Sequence, residues 1–156
     1  MKHIISVLVE NKFGVLARIS GLFSARGFNI DSLAVGETED PTISRMTIVV
    51  KGDDKTLEQV KKQLNKLIDV ISVNDFVKKD HIDRELILFK IGVSKETKDK
   101  ASKILDKFNA KVITASNDTI TVEIAGDQEH IVKLLGQLET FEIKEMARTG
   151  RIAMAL

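Results

Sequence analysis

The sequence predicts an α+β protein built from two βαββαβ units in tandem. Short segments in which apolar residues alternate with a period of two indicate strands, and apolar residues at helical spacing lie between them. The order strand–helix–strand–strand–helix–strand is complete by residue 77 and then recurs in the rest of the 156-residue chain. Such ferredoxin-like units form a four-stranded antiparallel sheet with both helices on one face.

The first unit opens with a strand at 3–9, whose odd-numbered residues from Ile5 onward are apolar and share one face. A helix is predicted at 15–25 because its apolar residues form one stripe at 100° per residue. Gly27 suits the position just after that helix. Strands at 28–37 and 43–51 follow, separated by a turn that contains Pro41.

A second helix and a fourth strand complete this unit. Gly52-Asp53-Asp54 ends the third strand and offers a helix cap, and apolar residues at helical spacing follow through 57–67. The fourth strand is predicted at 68–77. The mixed charges of 78–85 are typical of an exposed connector, and the domain boundary is placed there.

The second half repeats this order. The predicted elements are strands at 86–93, 110–116, 119–125 and 141–147, with helices through 101–108 and 131–138. Gly126-Asp127 interrupts the chain as Gly52-Asp53 does. The apolar tail 152–156 is expected to pair or pack further. In the first strand, Ile4 and Leu8 lie on the face opposite the helices, so that face is expected to be covered by a partner or by the second domain.

Composition excludes several classes of function. The chain has no cysteine, so disulfides, thiol catalysis and zinc sites built on cysteine are absent, and a cytoplasmic location is expected. No signal peptide and no membrane-spanning run are expected. The formal net charge of +1 creates no global attraction for nucleic acid.

No motif for catalysis or metal binding is present. The sequence contains no nucleophile elbow, dinucleotide fingerprint or phosphate-binding loop. His3, His81 and His130 are too far apart in sequence for a ligand pattern, and each is expected to be a solvated or capping residue. We therefore expect no catalytic residue and no metal site in this chain.

The βαββαβ order is shared with RNA-recognition modules, which stack bases on aromatic residues of the sheet. This chain has seven Phe but no Tyr or Trp, and its third strand, 43–51, is aliphatic. Nucleic-acid binding is therefore disfavoured.

The loop after the first strand has the features of a binding site. The first turn of the helix beginning near residue 15 offers free N–H groups and a positive dipole end, which suit a carboxylate. Gly14 leaves room for a ligand near the backbone, and Asn11 offers both a carbonyl and an amide NH₂. An amino acid matches this chemistry. The alternative, that Asn11 is only a turn residue and Gly14 only a hinge, stays open on spacing alone.

The stretch "ISVLVENKFGVLARISGLFSARGFNIDSLAVGETEDPTISRMTIVV" resembles the ACT domain of the acetohydroxyacid (acetolactate) synthase small regulatory subunit. "LEQVKKQLNKLIDVISV" continues the match, and Arg84-Glu85-Leu86 with "EMARTGRIAMAL" resembles the C-terminal domain of that family more loosely. The resemblance implies an ACT effector-binding domain at 1–77 and the family's ferredoxin-like C-terminal domain at 78–156.

This resemblance also implies a function. Members of the family are not catalytic themselves. They bind and activate a separate catalytic subunit and confer feedback inhibition in branched-chain amino acid biosynthesis, usually by valine. Thiamine diphosphate, FAD and Mg²⁺ are expected only in that catalytic partner. A freestanding enzyme and a nucleic-acid-binding regulator are the rival possibilities.

The family's ACT domains pair as a dimer and hold the effector between two chains. The resemblance assigns this role to two sets of residues: Asn11, Gly14, Val15 and Leu16 of one chain, with Asn29 and Ile30 of the other. The N–H groups near Gly14 would hold the valine carboxylate, while the two asparagines bond its charged ends. Leu16 and Ile30, with Val35, would receive the isopropyl group. Which branched-chain amino acid is preferred is left open, because one methylene changes binding by only about 1–3 kcal/mol.

Overall fold

The computed structural model describes every residue from 1 to 156. Its contacts divide the chain into two units, Met1–Ile82 with Arg151–Leu156, and Asp83–Gly150. Each unit contains an antiparallel sheet with two helices packed on one face, so the predicted α+β class and tandem βαββαβ order are confirmed. No helix has the length and apolar character needed to cross a membrane.

The first unit follows the predicted order closely. Its elements are β1 (Lys2–Glu10), α1 (Val15–Ala25), β2 (Ile30–Glu37), β3 (Ile43–Lys51), α2 (Asp54–Asn65) and β4 (Val70–Asp75). The strands are ordered β2-β3-β1-β4, so β3 and β1 are central and β2 lies at an edge. Ile5 of β1, Ile48 of β3, Phe23 of α1 and Leu64 of α2 are fully buried in the core between sheet and helices.

Helix α1 ends where Gly27 predicts. Gly27 has φ 70°, a left-handed conformation that glycine adopts at little cost. The N–H groups of Gly27 and Phe28 donate to the carbonyls of Ser24 and Phe23, each at 3.0 Å, which satisfies two carbonyls of the last turn. Phe28 therefore belongs to the helix exit, and β2 begins at Ile30 rather than at residue 28.

The predicted cap of α2 is confirmed, and α4 (Gln128–Gln137) begins with an equivalent cap. The side chain of Asp53 accepts from the N–H of Thr56 at 2.7 Å, and that of Asp127 accepts from the N–H of His130 at 2.8 Å. Each carboxylate thereby satisfies a donor of the first helical turn and opposes the positive end of the dipole. The two caps occupy equivalent places in the repeated order.

The second unit contains most of β5 (His81–Gly92), followed by α3 (Lys98–Lys107), β6 (Lys111–Ala115), β7 (Thr119–Gly126), α4 (Gln128–Gln137) and β8 (Ile143–Arg148). Its strands are ordered β6-β7-β5-β8. The buried faces of β5 and β7 pack on the two helices through Phe89, Val122, Leu105 and Leu134.

The prediction that 78–85 is a connector is wrong from His81 onward, because β5 already begins there. Charge did not prevent strand formation, since backbone pairing depends on the neighbouring strand rather than on side-chain polarity. Glu85 pairs with Gly126 of β7, and its carboxylate lies 3.6 Å from the guanidinium of Arg148. The unit boundary accordingly lies at 82/83 instead of 77/78.

The C-terminal tail forms β9 (Ile152–Ala155) and packs on the first unit, within the range 78–156 that the sequence assigns to the second domain. Ala153 is 4% exposed and lies in a small cluster with Ile4, Val49 and Phe76, on the sheet face that carries no helix. Its N–H donates to Thr47 Oγ1 at 3.3 Å. The expected cover of Ile4 is thus provided by β9 of the same chain.

Replacing Ala153 by Asp should destabilise the first unit by roughly 2 kcal/mol or more, because an unpaired carboxylate would be forced into an apolar cluster. Urea denaturation followed by circular dichroism measures the change. Met154→Asp is the matched control, since Met154 is 58% exposed on the same strand and its substitution should change stability little. Equal effects of the two substitutions would contradict the packing of β9.

Candidate functional site

The loop between β1 and α1 is tied to the turn between β2 and β3 by Asn11. The Asn11 N–H donates to the carbonyl of Thr42 at 2.7 Å. Its Nδ2 donates to the carbonyl of Pro41 at 2.9 Å and to Glu37 Oε1 at 3.2 Å. Both side-chain partners are acceptors, so they fix the orientation of the amide. Asn11 is therefore a structural residue whose Oδ1 is left without a protein partner.

The turn that receives Asn11 is itself held rigid. Asp40 Oδ1 accepts from the Thr42 hydroxyl at 2.7 Å and from the Thr42 N–H at 2.9 Å. These hydrogen bonds, the hydroxyl first, lower the pKa of Asp40 below its ordinary value because they stabilise the carboxylate form. The turn that offers the Thr42 and Pro41 carbonyls to Asn11 is therefore held in place by an ionised Asp40 at neutral pH.

Gly14 occupies the N-cap position of α1 with φ 83° and ψ −6°. Other residues adopt this left-handed conformation only with strain. A Cβ built on Gly14 would meet nothing within 4 Å, so the backbone here is open to an approaching molecule. The structure therefore gives two reasons for a glycine at position 14. One is the left-handed backbone, which spacing alone did not reveal, and the other is the open approach that was predicted.

Two backbone donors in the first turn of α1 are free. Gly14 provides no side-chain cap, the first turn contains no acidic residue, and the N–H groups of Leu16 and Ala17 have no acceptor. Glu10, just before the loop, lies 2.9 Å from the Lys12 ammonium. That hydrogen bond raises the pKa of Lys12 above its ordinary value. A carboxylate placed at this turn would meet free donors and the positive end of the helix dipole.

The apolar candidates differ in what they can contact. Val15 is buried in the core, so only its backbone is available to a ligand. Leu16 and Val35 are 45% and 46% exposed, so their side chains are accessible to a ligand. Ile30 is half-buried, and it packs at the edge of the core opposite Val50.

Asn29 lies at the other end of the sheet. Its side chain is exposed and forms no hydrogen bond, and it directly precedes Ile30 at the start of β2. Asn11 instead bonds Glu37 at the end of β2. Seven residue steps separate the two ends of this strand, which corresponds to roughly 23 Å at about 3.3 Å per residue. Within one chain the structure does not bring the two asparagines together.

The partners of Asn11 were missed by the sequence reasoning. Glu37 and Pro41 are distant from Asn11 in sequence, and they meet it only because β2 and β3 return past the end of β1. The proline-containing turn was visible in the sequence, but its contact with the loop depends on strand register. No local pattern encodes that register.

The three histidines do not form a common site. His81 Nδ1 lies 2.9 Å from the Lys79 carbonyl, and His130 Nε2 lies 3.0 Å from that of Phe108. Of the two expected roles, solvated or capping, His3 does not have the first, because it is fully buried with Nε2 3.0 Å from the Gly52 carbonyl. No group of three or more His, Cys, Asp or Glu side chains is placed to hold a metal ion.

Comparison with known proteins covers both halves of the chain. Residues 5–72 match the AHAS small subunit-like ACT domain, and residues 84–156 match the family described as the small subunit of acetolactate synthase. A probable acetolactate synthase small subunit of Archaeoglobus fulgidus is 47% identical over 154 residues, covering 99% of this chain and 96% of that protein. The acetolactate synthase small subunit of Aquifex aeolicus is 49% identical over 154 residues, covering 98% of this chain and 80% of that protein.

A solved structure agrees with these matches. The crystal structure of the acetolactate synthase small subunit from Thermotoga maritima superposes with a TM-score of 0.88 at 38% identity. The alignment covers 100% of this chain and 98% of that chain. The similarity therefore extends over both units.

Proposed function

Since the chain belongs to the acetolactate synthase small-subunit family, we propose that it binds and activates a separate catalytic subunit and makes it sensitive to valine. The chain contributes no catalytic group. Thiamine diphosphate, FAD and Mg²⁺ belong to the catalytic partner in this proposal. The chain acts in the cytoplasm, as a homodimer formed through its ACT domain.

The observation that carries the proposal is the placement of the two asparagines at opposite ends of the edge strand β2. This strand pairs only with β3, so its other edge is free to pair with a second copy. In an antiparallel pairing of two β2 strands, the start of each strand lies beside the end of the other. Asn29 of one copy would then lie beside the Asn11 loop of the second copy, and symmetry would create two such sites.

The groups at this junction match the parts of an amino acid. The free N–H groups at the first turn of α1 suit the carboxylate. Asn11 Oδ1, which has no protein partner, can accept from the ammonium group, and the amide of Asn29 can bond either charged end. Leu16, Val35 and Ile30 offer apolar surface for the isopropyl group.

Feedback follows if valine binds one arrangement of the two copies better than another. A ligand shifts an equilibrium only by its difference in affinity for the two states. Because the ligand would contact α1 of one copy and β2 of the other, its binding depends on how the two sheets are joined. That arrangement would in turn determine the activity of the bound catalytic subunit.

Reconstitution tests the function as a whole. This chain alone should show no turnover of pyruvate, and adding it to the acetolactate synthase catalytic subunit of the same organism should raise the rate of that subunit. Valine should then lower the rate only when this chain is present. Turnover by the isolated chain would favour the rival enzyme, and salt-dependent RNA binding without activation would favour the nucleic-acid regulator.

Replacing Asn29 by Ala should weaken valine binding roughly 10- to 150-fold, the loss expected for one hydrogen bond to a charged group. Isothermal titration calorimetry of the isolated chain measures it. Asn117→Ala is the matched control, because Asn117 is another exposed asparagine, in the hairpin turn between β6 and β7. Unchanged affinity in Asn29→Ala would remove this residue from the site.

Replacing Gly14 by Asp should abolish valine inhibition of the reconstituted enzyme while activation persists. The new side chain would fill the open space at the helix start and place a negative charge where the carboxylate binds. Gly14→Asn separates the two causes, because it adds the same bulk at this left-handed position without the charge and should retain more inhibition. Full inhibition in Gly14→Asp would place the effector elsewhere.

A further inference from the structure

On the face of the first sheet that carries no helix, three rows of paired residues cross all four strands, between the Lys2–Lys51 and Glu10–Ile43 pairs. Directly paired residues share a face, which defines the rows. They are Ser32, Val49, Ile4 and Phe76; Ala34, Thr47, Ser6 and Asn74; and Gly36, Arg45, Leu8 and Ser72. The first row is covered by Ala153, whereas the third is partly exposed. The open part of this face is therefore the third row.

Arg45 is the only charged residue in the three rows. Its Nη1 donates to Ser6 Oγ at 2.8 Å, and Ser6 is only 1% exposed, so the guanidinium is held against the sheet by a buried hydroxyl. Arg45 forms no ion pair and uses one of its five N–H donors. A half-buried guanidinium of this kind is fixed in position and lacks an anionic partner.

The surroundings of Arg45 leave room for such a partner. Gly36 lies directly opposite it on β2, and a Cβ built there would meet nothing within 4 Å. Neighbouring carboxylates are engaged elsewhere, since Glu37 accepts from Asn11 and Glu10 is paired with Lys12. The small, neutral side chains of Ala34 and Ser72 would let another protein approach closely.

We propose that Arg45 is an anchor for the catalytic subunit and receives an Asp or Glu side chain of that subunit; this inference rests on the proposed function for the existence of the partner. A planar guanidinium binds a carboxylate through two parallel hydrogen bonds, and arginine is enriched among the residues that dominate interface energies. A free small anion is disfavoured, because the rows offer no second cation to hold it on an open sheet face.

The position of Arg45 also connects the anchor to the effector junction. Arg45 pairs with Gly36 on β2, and Glu37, next along that strand, bonds Asn11. A change in how two β2 strands pair would therefore be transmitted to Arg45 through the pairing of β2 with β3 alone. This arrangement provides a short physical route from the effector to the catalytic partner.

Binding of the catalytic subunit to immobilised full-length chain tests the inference. Arg45→Met keeps the aliphatic stem but removes every donor, and it should weaken binding about 30-fold or more, as expected when an interface anchor is lost. Arg45→Glu should weaken it further by repelling the carboxylate, and Arg45→Lys should retain only part of the affinity. Lys55→Glu is the charge-matched control on exposed α2, and it should bind as the wild type does.

Valine binding, measured on each isolated variant by calorimetry, should remain at the wild-type level and shows that the variants are folded. If Arg45→Glu binds the catalytic subunit as tightly as the wild type, the anchor is wrong while the proposed function stands. If the wild-type chain itself fails to bind and activate the catalytic subunit, the proposed function fails before Arg45 is tested. If Lys55→Glu loses as much affinity for the catalytic subunit as Arg45→Glu does, the loss reflects net charge and not a specific contact, and the anchor is wrong.

Discussion

Strand β3 pairs with β1 along its whole length and with β2 on its other side, and the candidate site depends on this double pairing. The pairing returns the turn around Pro41 to the end of β1, where Asn11 bonds it. It also sets β2 at the edge, with Asn29 at one end and Glu37 at the other. A shift of one residue in either ladder would turn the buried face of β3 outward and separate Asn11 from its partners. The site is thus a consequence of register.

The bounds of α1 and the cap of α2 could be predicted from the sequence because local chemistry determines them. The apolar stripe of α1 and the left-handed Gly27 fix both of its ends, and Asp53 and Asp127 begin their helices by accepting backbone N–H groups. The strand character of the charged segment before Glu85 could not be predicted, because the strands that pair with β5, namely β7, β8 and β9, lie far along the chain. The same limit applies to β9, whose packing on Ile4 and Val49 has no local signal.

The candidate site was predictable in its residue types but not in its geometry. Free donors at a helix start and a glycine beside them are visible in sequence, whereas the φ of Gly14 and the engagement of the Asn11 amide are not. Family resemblance alone predicts that Asn11 meets Asn29 of a second chain, and that pairing stays a prediction. The structure shows only that the two ends of β2 are too far apart for one small molecule to bridge both asparagines within a chain.

The packing of β9 has a consequence for the order in which the protein folds during synthesis. Domains generally fold as units, the N-terminal one first, as the chain emerges at about 5–20 residues per second. Here the N-terminal sheet cannot be covered until β9 is made, because Ala153 closes the cluster of Ile4, Val49 and Phe76. A nascent chain therefore carries an unfinished first unit through the synthesis of the whole second one. Chains that terminate before Ala153 would expose that apolar cluster, so their removal by proteases would act as a check that β9 has been made.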